Sequence, residues 1–121
     1  MKKKSLLNSF KYAFAGIFSA FKTERNMKIH FSIMVLVIIA GIVFKISIIE
    51  WIMCLFAFSS VIGSEMINTA IETVVDMAMP EKNDLAKRAK DIAAGAVLVS
   101  AFFQAIIGLL IFIPKIFSIL K

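Results

Sequence analysis

Three long apolar segments constrain this chain more than any other feature. Residues 31–44 and 51–64 each run for 14 residues without a charge, and residues 92–113 run for 22. A helix needs about 20 residues to cross the hydrocarbon core of a bilayer. The third segment is long enough to cross the bilayer by itself. The first is long enough only if its helix continues past Lys45, and the second only if its helix continues through Glu65. The pattern predicts transmembrane helices over 29–49, 51–79 and 91–113.

The composition agrees with a membrane protein. Hydrophobic residues make up 60% of the chain, above the roughly 45–50% of soluble domains. The 121 residues suit a single domain, expected over 1–121. The one cysteine, Cys54, offers neither an intrachain disulfide framework nor a zinc spacing. The basic start lacks the continuous apolar core of a secretory signal, so we expect it to be retained.

The distribution of basic residues predicts the orientation in the cell membrane. Eleven of the 14 Lys and Arg residues lie in residues 1–28 and in the 77–91 loop. The positive-inside rule places both regions in the cytoplasm and the C-terminus outside, giving a multi-pass protein. The net charge of +6 comes from residues that flank apolar runs. We therefore expect anionic lipid headgroups as neighbours, and no nucleic acid.

The segment before the first span has a different pattern. On a helical projection its large apolar side chains share an arc of about 120° over residues 5–22. This indicates an amphipathic helix lying on the inner leaflet. The expected fold is an all-α integral membrane protein with three transmembrane helices and this surface helix. The apolar residues of the arc are Leu6, Leu7, Phe10, Phe14, Ile17, Phe18 and Phe21.

A polar stripe continues the second apolar run. On a helix, five polar residues of the segment "SEMINTAIETVVDM" fall within an arc of about 100°, along about 16 Å of length. A carboxylate inside the bilayer costs up to about 2.5–3.5 kcal/mol unless it is paired or coordinated. The oxygen-rich set suits Mg²⁺, which is usually held by one or two carboxylates and substrate phosphates. A solvated helix end is the alternative for the outermost residue. The five residues are Glu65, Asn68, Thr69, Glu72 and Asp76.

Two further charged clusters lie on the same predicted membrane face. Lys90 and Asp91 open the third span, and Glu24 sits among basic residues before the first. Membrane anchoring by basic residues is the alternative for both. This face would then carry carboxylates that can bind a metal ion, a cation that can bind phosphate, and Glu65 inside the leaflet. Together these groups indicate phosphoryl transfer to a lipid headgroup. No GxxxxGK[ST] loop is present, so a nucleotide site would not be a P-loop.

Two non-enzymatic hypotheses compete with this interpretation. Glu65 and Glu72 could line the path of a small cation channel or transporter, or the chain could be a membrane scaffold. The convergence of acidic and basic clusters on one face favours the enzyme, because the outer halves of the spans are apolar. Three helices are too few to enclose a nucleotide, a metal and a lipid head. We therefore expect a homo-oligomer, with close approach of helices at the small residues 93–96.

Three motifs carry a family resemblance. "ExxNTAIExxVD" at 65–76, "AKDxAAGAVL" at 89–98 and "ERNxxxH" at 24–30 resemble the small prokaryotic diacylglycerol kinase family, over nearly the whole chain. The resemblance implies a homotrimer with composite active sites, ATP as phosphoryl donor and a lipid alcohol as acceptor. The form of the third motif is similar to the Gram-positive branch, which phosphorylates undecaprenol. Phosphorylation of diacylglycerol to phosphatidic acid is the alternative.

The resemblance also implies roles for individual residues. Glu65 is expected to be the general base for the lipid hydroxyl, with Asn68 near the reacting centre. Glu24 and Glu72 are expected to hold Mg²⁺ with ATP. Departures from the family pattern occur at Ser5, Asn83 and Ala94, which stand where a basic residue, a histidine and a serine are expected. The nucleotide-binding positions implied are Tyr12, Gly16, Glu24, Glu72, Glu81, Asn83, Lys90 and Asp91.

Overall fold

A computed structural model describes residues 5–121 of the chain, and the basic start at 1–4 lies outside the described residues. Regular structure within this range is all α-helical. Three of the helices are long and apolar enough to cross a membrane, which confirms the prediction of an all-α protein with three candidate spans. The helices are α1 (Leu6–Thr23), α2 (Arg25–Phe44), α3 (Ile48–Ala78) and α4 (Asp84–Leu120).

Helix α1 lies at the edge of the structure and contacts α2. Its N-cap is Ser5, whose side chain accepts a hydrogen bond from the Asn8 backbone at 3.2 Å. The rings of Phe21 and Phe31 meet edge to face, 5.2 Å apart, and join α1 to α2. Most of the predicted apolar arc is exposed. A bilayer surface would cover that arc, and this placement stays a prediction.

Helix α2 ends at Phe44, whereas the prediction carried the first span past Lys45 to residue 49. Lys45 adopts a left-handed backbone with φ 54° and closes the helix. The Ile46 N–H then donates to the Gly41 carbonyl at 3.1 Å, the pattern of a Schellman-type end. Lys45 therefore lies in a tight turn and not inside a span. A Cβ on Gly41 would lie only 2.6 Å from the Trp51 ring, so the turn packs closely onto α3.

Helix α3 carries the polar stripe on its buried face. It begins with a capping box, in which Ser47 and Glu50 each bond the other's backbone N–H. Its buried residues follow one another at helical spacing, first apolar and then polar. The stripe of Glu65 thus continues the core-facing side of the helix. The buried residues are Cys54, Ala57, Phe58, Val61, Glu65 and Asn68.

Helix α4 packs antiparallel along α3 and runs past the predicted end of its span. The prediction ended at residue 113, but the helix continues through Pro114 to Leu120. A proline inside a helix removes one backbone hydrogen bond. In an apolar environment a complete break would leave more polar groups unpaired, at several kcal/mol each, so the helix continues. Lys115, in the continued part, donates to Glu50 at 2.7 Å and links the ends of α4 and α3.

The apolar core lies at this Glu50 end, away from the polar stripe. Met34 and Val37 of α2 and Trp51 of α3 pack against it. Midway along the bundle, the hydroxyls of Ser60 and Ser100 lie 3.1 Å apart and join α3 to α4. The outer faces of the three long helices remain apolar and exposed, as expected for surfaces that contact lipid or another copy. The buried residues of the core are Ile46, Cys54, Phe58 and Ile111.

Candidate active site

Glu65 is the most deeply buried charged residue described. Its side chain is 1% exposed, and neither carboxylate oxygen has a hydrogen-bond partner among residues 5–121. Burying a polar group without a partner costs several kcal/mol in an apolar environment. Such a group calls for an explanation, and a catalytic role is one of the usual ones. Position and lack of partners leave this carboxylate available to a ligand.

Polar groups at the start of helix α2 face Glu65 across the contact between α2 and α3. The Nε2 atom of His30 lies 4.0 Å from Glu65 Oε2, and the imidazole is 15% exposed. The Asn26 side-chain amide and the Glu24 charge also act on the carboxylate, although Asn26 does not reach hydrogen-bonding geometry. Glu24 occupies the extended joint between α1 and α2 and is half-buried. The joint therefore places a second carboxylate close to Glu65.

Asn68 connects the buried part of the stripe to its outer part. Its side-chain N–H donates to Glu72 Oε1 at 3.0 Å, while its own buried Oδ1 has no partner among the described residues. This hydrogen bond uses only Oε1 of Glu72, and Oε2 does not take part in it. Glu72 is half-buried and interacts electrostatically with Glu65. Glu24, Glu65 and Glu72 thus form one acidic group.

The loop between α3 and α4 brings a cation to this acidic group. The Lys90 ammonium donates to Asp76 Oδ1 at 2.8 Å and interacts electrostatically with Glu72. Charge-assisted bonds of this length are among the stronger ones in proteins. Lys90 therefore stands at the boundary between the acidic group and the loop, within reach of a ligand that touches both.

A cleft of about 500 Å³ opens beside Lys90. Four of the residues implied by the resemblance line it, namely Glu81, Asn83, Lys90 and Asp91. Asn83 also caps α4, accepting from the Leu85 backbone at 2.9 Å, and Asp91 pairs with Lys87. The cleft therefore contains charges of both signs. A nucleotide bound with a divalent cation presents the same combination.

Four of the eight implied nucleotide-binding positions do not line the cleft within one copy of the chain, namely Tyr12, Gly16, Glu24 and Glu72. Tyr12 and Gly16 lie on exposed positions of α1, and neither is among the residues that line the cleft. Sequence spacing alone gave no distance between α1 and the loop.

The carboxylates fit the needs of Mg²⁺ bound together with phosphate. Within residues 5–121 no group of three or more His, Cys, Asp or Glu side chains could hold a metal ion by itself. Mg²⁺, however, commonly uses one or two carboxylates and takes its other ligands from water and substrate phosphates. Glu24 and Glu72, both near Glu65, match that donor set.

The structure shows three side-chain contacts that the sequence analysis did not predict. His30 approaches Glu65, Asp76 holds Lys90, and Lys87 pairs with Asp91. The antiparallel packing of α3 and α4 brings their loop-proximal ends together, so the region of the Asp76–Lys90 contact was predictable but the pairing of these two residues was not. The approach of His30 depends on how α2 packs on α3, and no local spacing predicts it.

Comparisons with known proteins identify the family of the chain. The family described as "Prokaryotic diacylglycerol kinase" matches residues 11–112. The chain is 44% identical over 108 residues to undecaprenol kinase of Bacillus subtilis (strain 168), covering 89% of this chain and 88% of that protein. It is 39% identical over 117 residues to diacylglycerol kinase of Synechocystis sp., covering 96% and 67%.

A third relative, diacylglycerol kinase of Haemophilus influenzae, is 32% identical over 109 residues, covering 88% of this chain and 92% of that protein. These matches are to enzymes, so they set aside the channel and scaffold hypotheses. The family match includes α2, α3 and the part of α4 that forms the site. The chain belongs to the prokaryotic diacylglycerol kinase family and is a multi-pass membrane lipid kinase.

Proposed function

We propose that the chain is an undecaprenol kinase that transfers the γ-phosphoryl group of ATP to the lipid hydroxyl at the cytoplasmic face of the membrane. The observation that carries the chemistry is the buried carboxylate of Glu65, which has no hydrogen-bond partner among the described residues and interacts with Glu24 and Glu72. The preference for undecaprenol is supported by the Bacillus subtilis relative, whose name states that acceptor. Diacylglycerol is the second candidate, because two other relatives are named for it.

The reaction divides between a lipid side and a nucleotide side. On the lipid side, Glu65 accepts the proton of the hydroxyl as its oxygen attacks the γ-phosphorus. The bond from that phosphorus to the β–γ bridging oxygen breaks, and ADP leaves with the electron pair. Asn68 lies one helical turn from Glu65, where it orients groups at the reacting centre. The products are the lipid phosphate and ADP.

On the nucleotide side, this chain supplies carboxylates and a cation. Glu24 and Glu72 would hold Mg²⁺ against the phosphates, and the bound ion neutralises their charge. Lys90 donates to a phosphate oxygen from the edge of the cleft. Glu81, Asn83 and Asp91 line the cleft and contact the nucleotide.

The orientation and assembly of the enzyme follow from the same proposal. The basic residues favour a cytoplasmic N-terminus and an extracytoplasmic C-terminus, which puts the cleft where cytoplasmic ATP reaches it. A homotrimer is supported by the exposed apolar faces of the helices and by the absence of Tyr12 and Gly16 from the residues that line the cleft. The neighbouring subunit's surface helix would then complete each site. Cross-linking in native membranes should give a trimer as the largest species.

The proposed function is tested with the purified chain in mixed micelles. The micelles contain radiolabelled ATP, Mg²⁺ and either undecaprenol or diacylglycerol. We expect kcat/KM for undecaprenol to exceed that for diacylglycerol by at least about tenfold, or about 1.4 kcal/mol of transition-state binding. Equal or better use of diacylglycerol would make it the acceptor. Phosphorylation of neither lipid would refute the proposal.

A further inference from the structure

We propose that His30 is a positioning residue for Glu65, holding the carboxylate in the orientation in which it receives the proton of the lipid hydroxyl. The inference rests on the proposed function, because it assigns His30 a role in that reaction. The imidazole acts as a hydrogen-bond donor through Nε2 and is not the proton acceptor. Nothing in the sequence motifs distinguishes this role from membrane anchoring, so the contact between α2 and α3 carries it.

Helix α2 places the His30 imidazole, a hydrogen-bond donor, beside the buried carboxylate. Its Nε2 lies 4.0 Å from Glu65 Oε2, about 1 Å beyond an ordinary N–H···O bond. Catalytic hydrogen bonds are often long without substrate and shorten in the reactive complex. The carboxylate otherwise faces Asn26 and the acidic Glu24 and Glu72. A donor on the α2 side therefore opposes the repulsion from its acidic neighbours.

The surroundings of His30 suit a fixed ring. His30 also lines an apolar cavity of about 200 Å³, together with Cys54, Phe58 and Gln104. The ring thus sits between an apolar space and the polar stripe. Its Nδ1 is buried and has no hydrogen-bond partner among the described residues. An imidazole placed at this boundary without partners of its own is explained when its task is to direct the group beside it.

Three variants of His30 test the role. His30→Phe keeps an aromatic ring and removes the donor, and we expect kcat to fall about 10–100-fold, the usual cost of a misplaced catalytic group. KM for MgATP should change less than about twofold, because the nucleotide side is untouched. His30→Gln can place an N–H near the Nε2 position and should recover most of the activity. His30→Asn reaches only the Nδ1 position and should not.

A control variant and a double variant distinguish a positioning role of His30 from a general effect on helix packing. Ser32→Ala, on an exposed position of the same helix, should leave kcat unchanged. In a Glu65→Gln background, His30→Phe should cause no further loss, because His30 acts through the carboxylate. Losses that multiply, equal activity of the Gln and Asn variants, or a wild-type kcat for His30→Phe would each overturn the inference alone. A wild-type chain that phosphorylates no lipid would overturn the proposed function as well.

Discussion

The Lys90 ammonium is held by Asp76, 2.8 Å away, across the loop that joins α3 to α4. The pair spans 14 residues of sequence and places the cation at the edge of the cleft. It is largely exposed, with side-chain exposures of 39% and 64%. Exposed pairs contribute at most about 1 kcal/mol to stability. The main effect of the ion pair is therefore to position the Lys90 ammonium, and its contribution to stability is small.

Replacing Asp76 by Asn should weaken the hold on Lys90 without unfolding the enzyme. We expect KM for MgATP to rise up to about fivefold, which corresponds to about 1 kcal/mol. KM for the lipid should not change, because the lipid side is distant from the pair. Steady-state kinetics with each substrate varied in turn gives both values. An unchanged KM for MgATP, or a rise in KM for the lipid, would contradict the assignment.

Replacing Glu65 by Gln should separate catalysis from stability. The substitution removes the proton acceptor, so kcat should fall by at least about 100-fold. It also removes a buried charge whose oxygens have no partner, so Tm should be unchanged or higher. Turnover in micelles and thermal unfolding in detergent measure the two effects.

The matched control for that variant is Glu50→Gln, the same chemical change at the other end of α3. Glu50 bonds Lys115 and the Ser47 backbone, so its loss should lower Tm while kcat of the folded enzyme is retained. Near-normal turnover by the Glu65 variant would show that another group accepts the proton.

The sequence predicted the fold to the extent that composition and periodicity determine it. Charge-free runs predicted the three long helices, because crossing a bilayer needs a minimum apolar length. The residues at which the helices end were less predictable. The left-handed backbone of Lys45 and the contact of Gly41 with Trp51 depend on packing between α2 and α3. The passage of α4 through Pro114 depends on the apolar surroundings.

The candidate site was predictable along a helix and not between helices. The 100° periodicity placed Glu65 and Asn68 on one face, and both are buried on that face of α3. Contacts across helices, such as His30 with Glu65, depend on crossing geometry that a single sequence does not contain. Tyr12 came only from the family resemblance, and its role stays a prediction.

Replacing Glu72 by Gln should change the requirement for Mg²⁺. The amide keeps an oxygen that can accept from Asn68, as Glu72 Oε1 does at 3.0 Å, so local structure should persist. It loses the charge that a hard cation prefers. We expect the Mg²⁺ concentration for half-maximal turnover to rise about tenfold, in line with the loss of one charged ligand.

The measurement is a Mg²⁺ titration at fixed ATP, repeated with Mn²⁺, whose binding is also followed by electron paramagnetic resonance. Thr73→Val, at the exposed residue that directly follows Glu72, is the control and should titrate as the wild type does. An unchanged metal requirement in the Glu72 variant would mean that the ion is held elsewhere.

Replacing Gly41 by Ala should destabilise the end of α2. An added Cβ would lie 2.6 Å and 2.8 Å from two atoms of the Trp51 ring. An indole ring cannot bend away as a flexible side chain can, so the overpacking should cost about 1–3 kcal/mol. The better helix propensity of Ala returns less than about 1 kcal/mol. We therefore expect a lower Tm, measured by thermal unfolding in detergent.

Gly108→Ala is the opposite case on α4, because an added Cβ there meets nothing within 4 Å. Propensity should dominate, and Tm should stay the same or rise. Since Trp51 is the one tryptophan of the chain, its fluorescence reports the clash directly. The Gly41 variant should shift the emission and the Gly108 variant should not. A Gly41→Ala protein with wild-type Tm and emission would show that the turn does not pack on Trp51.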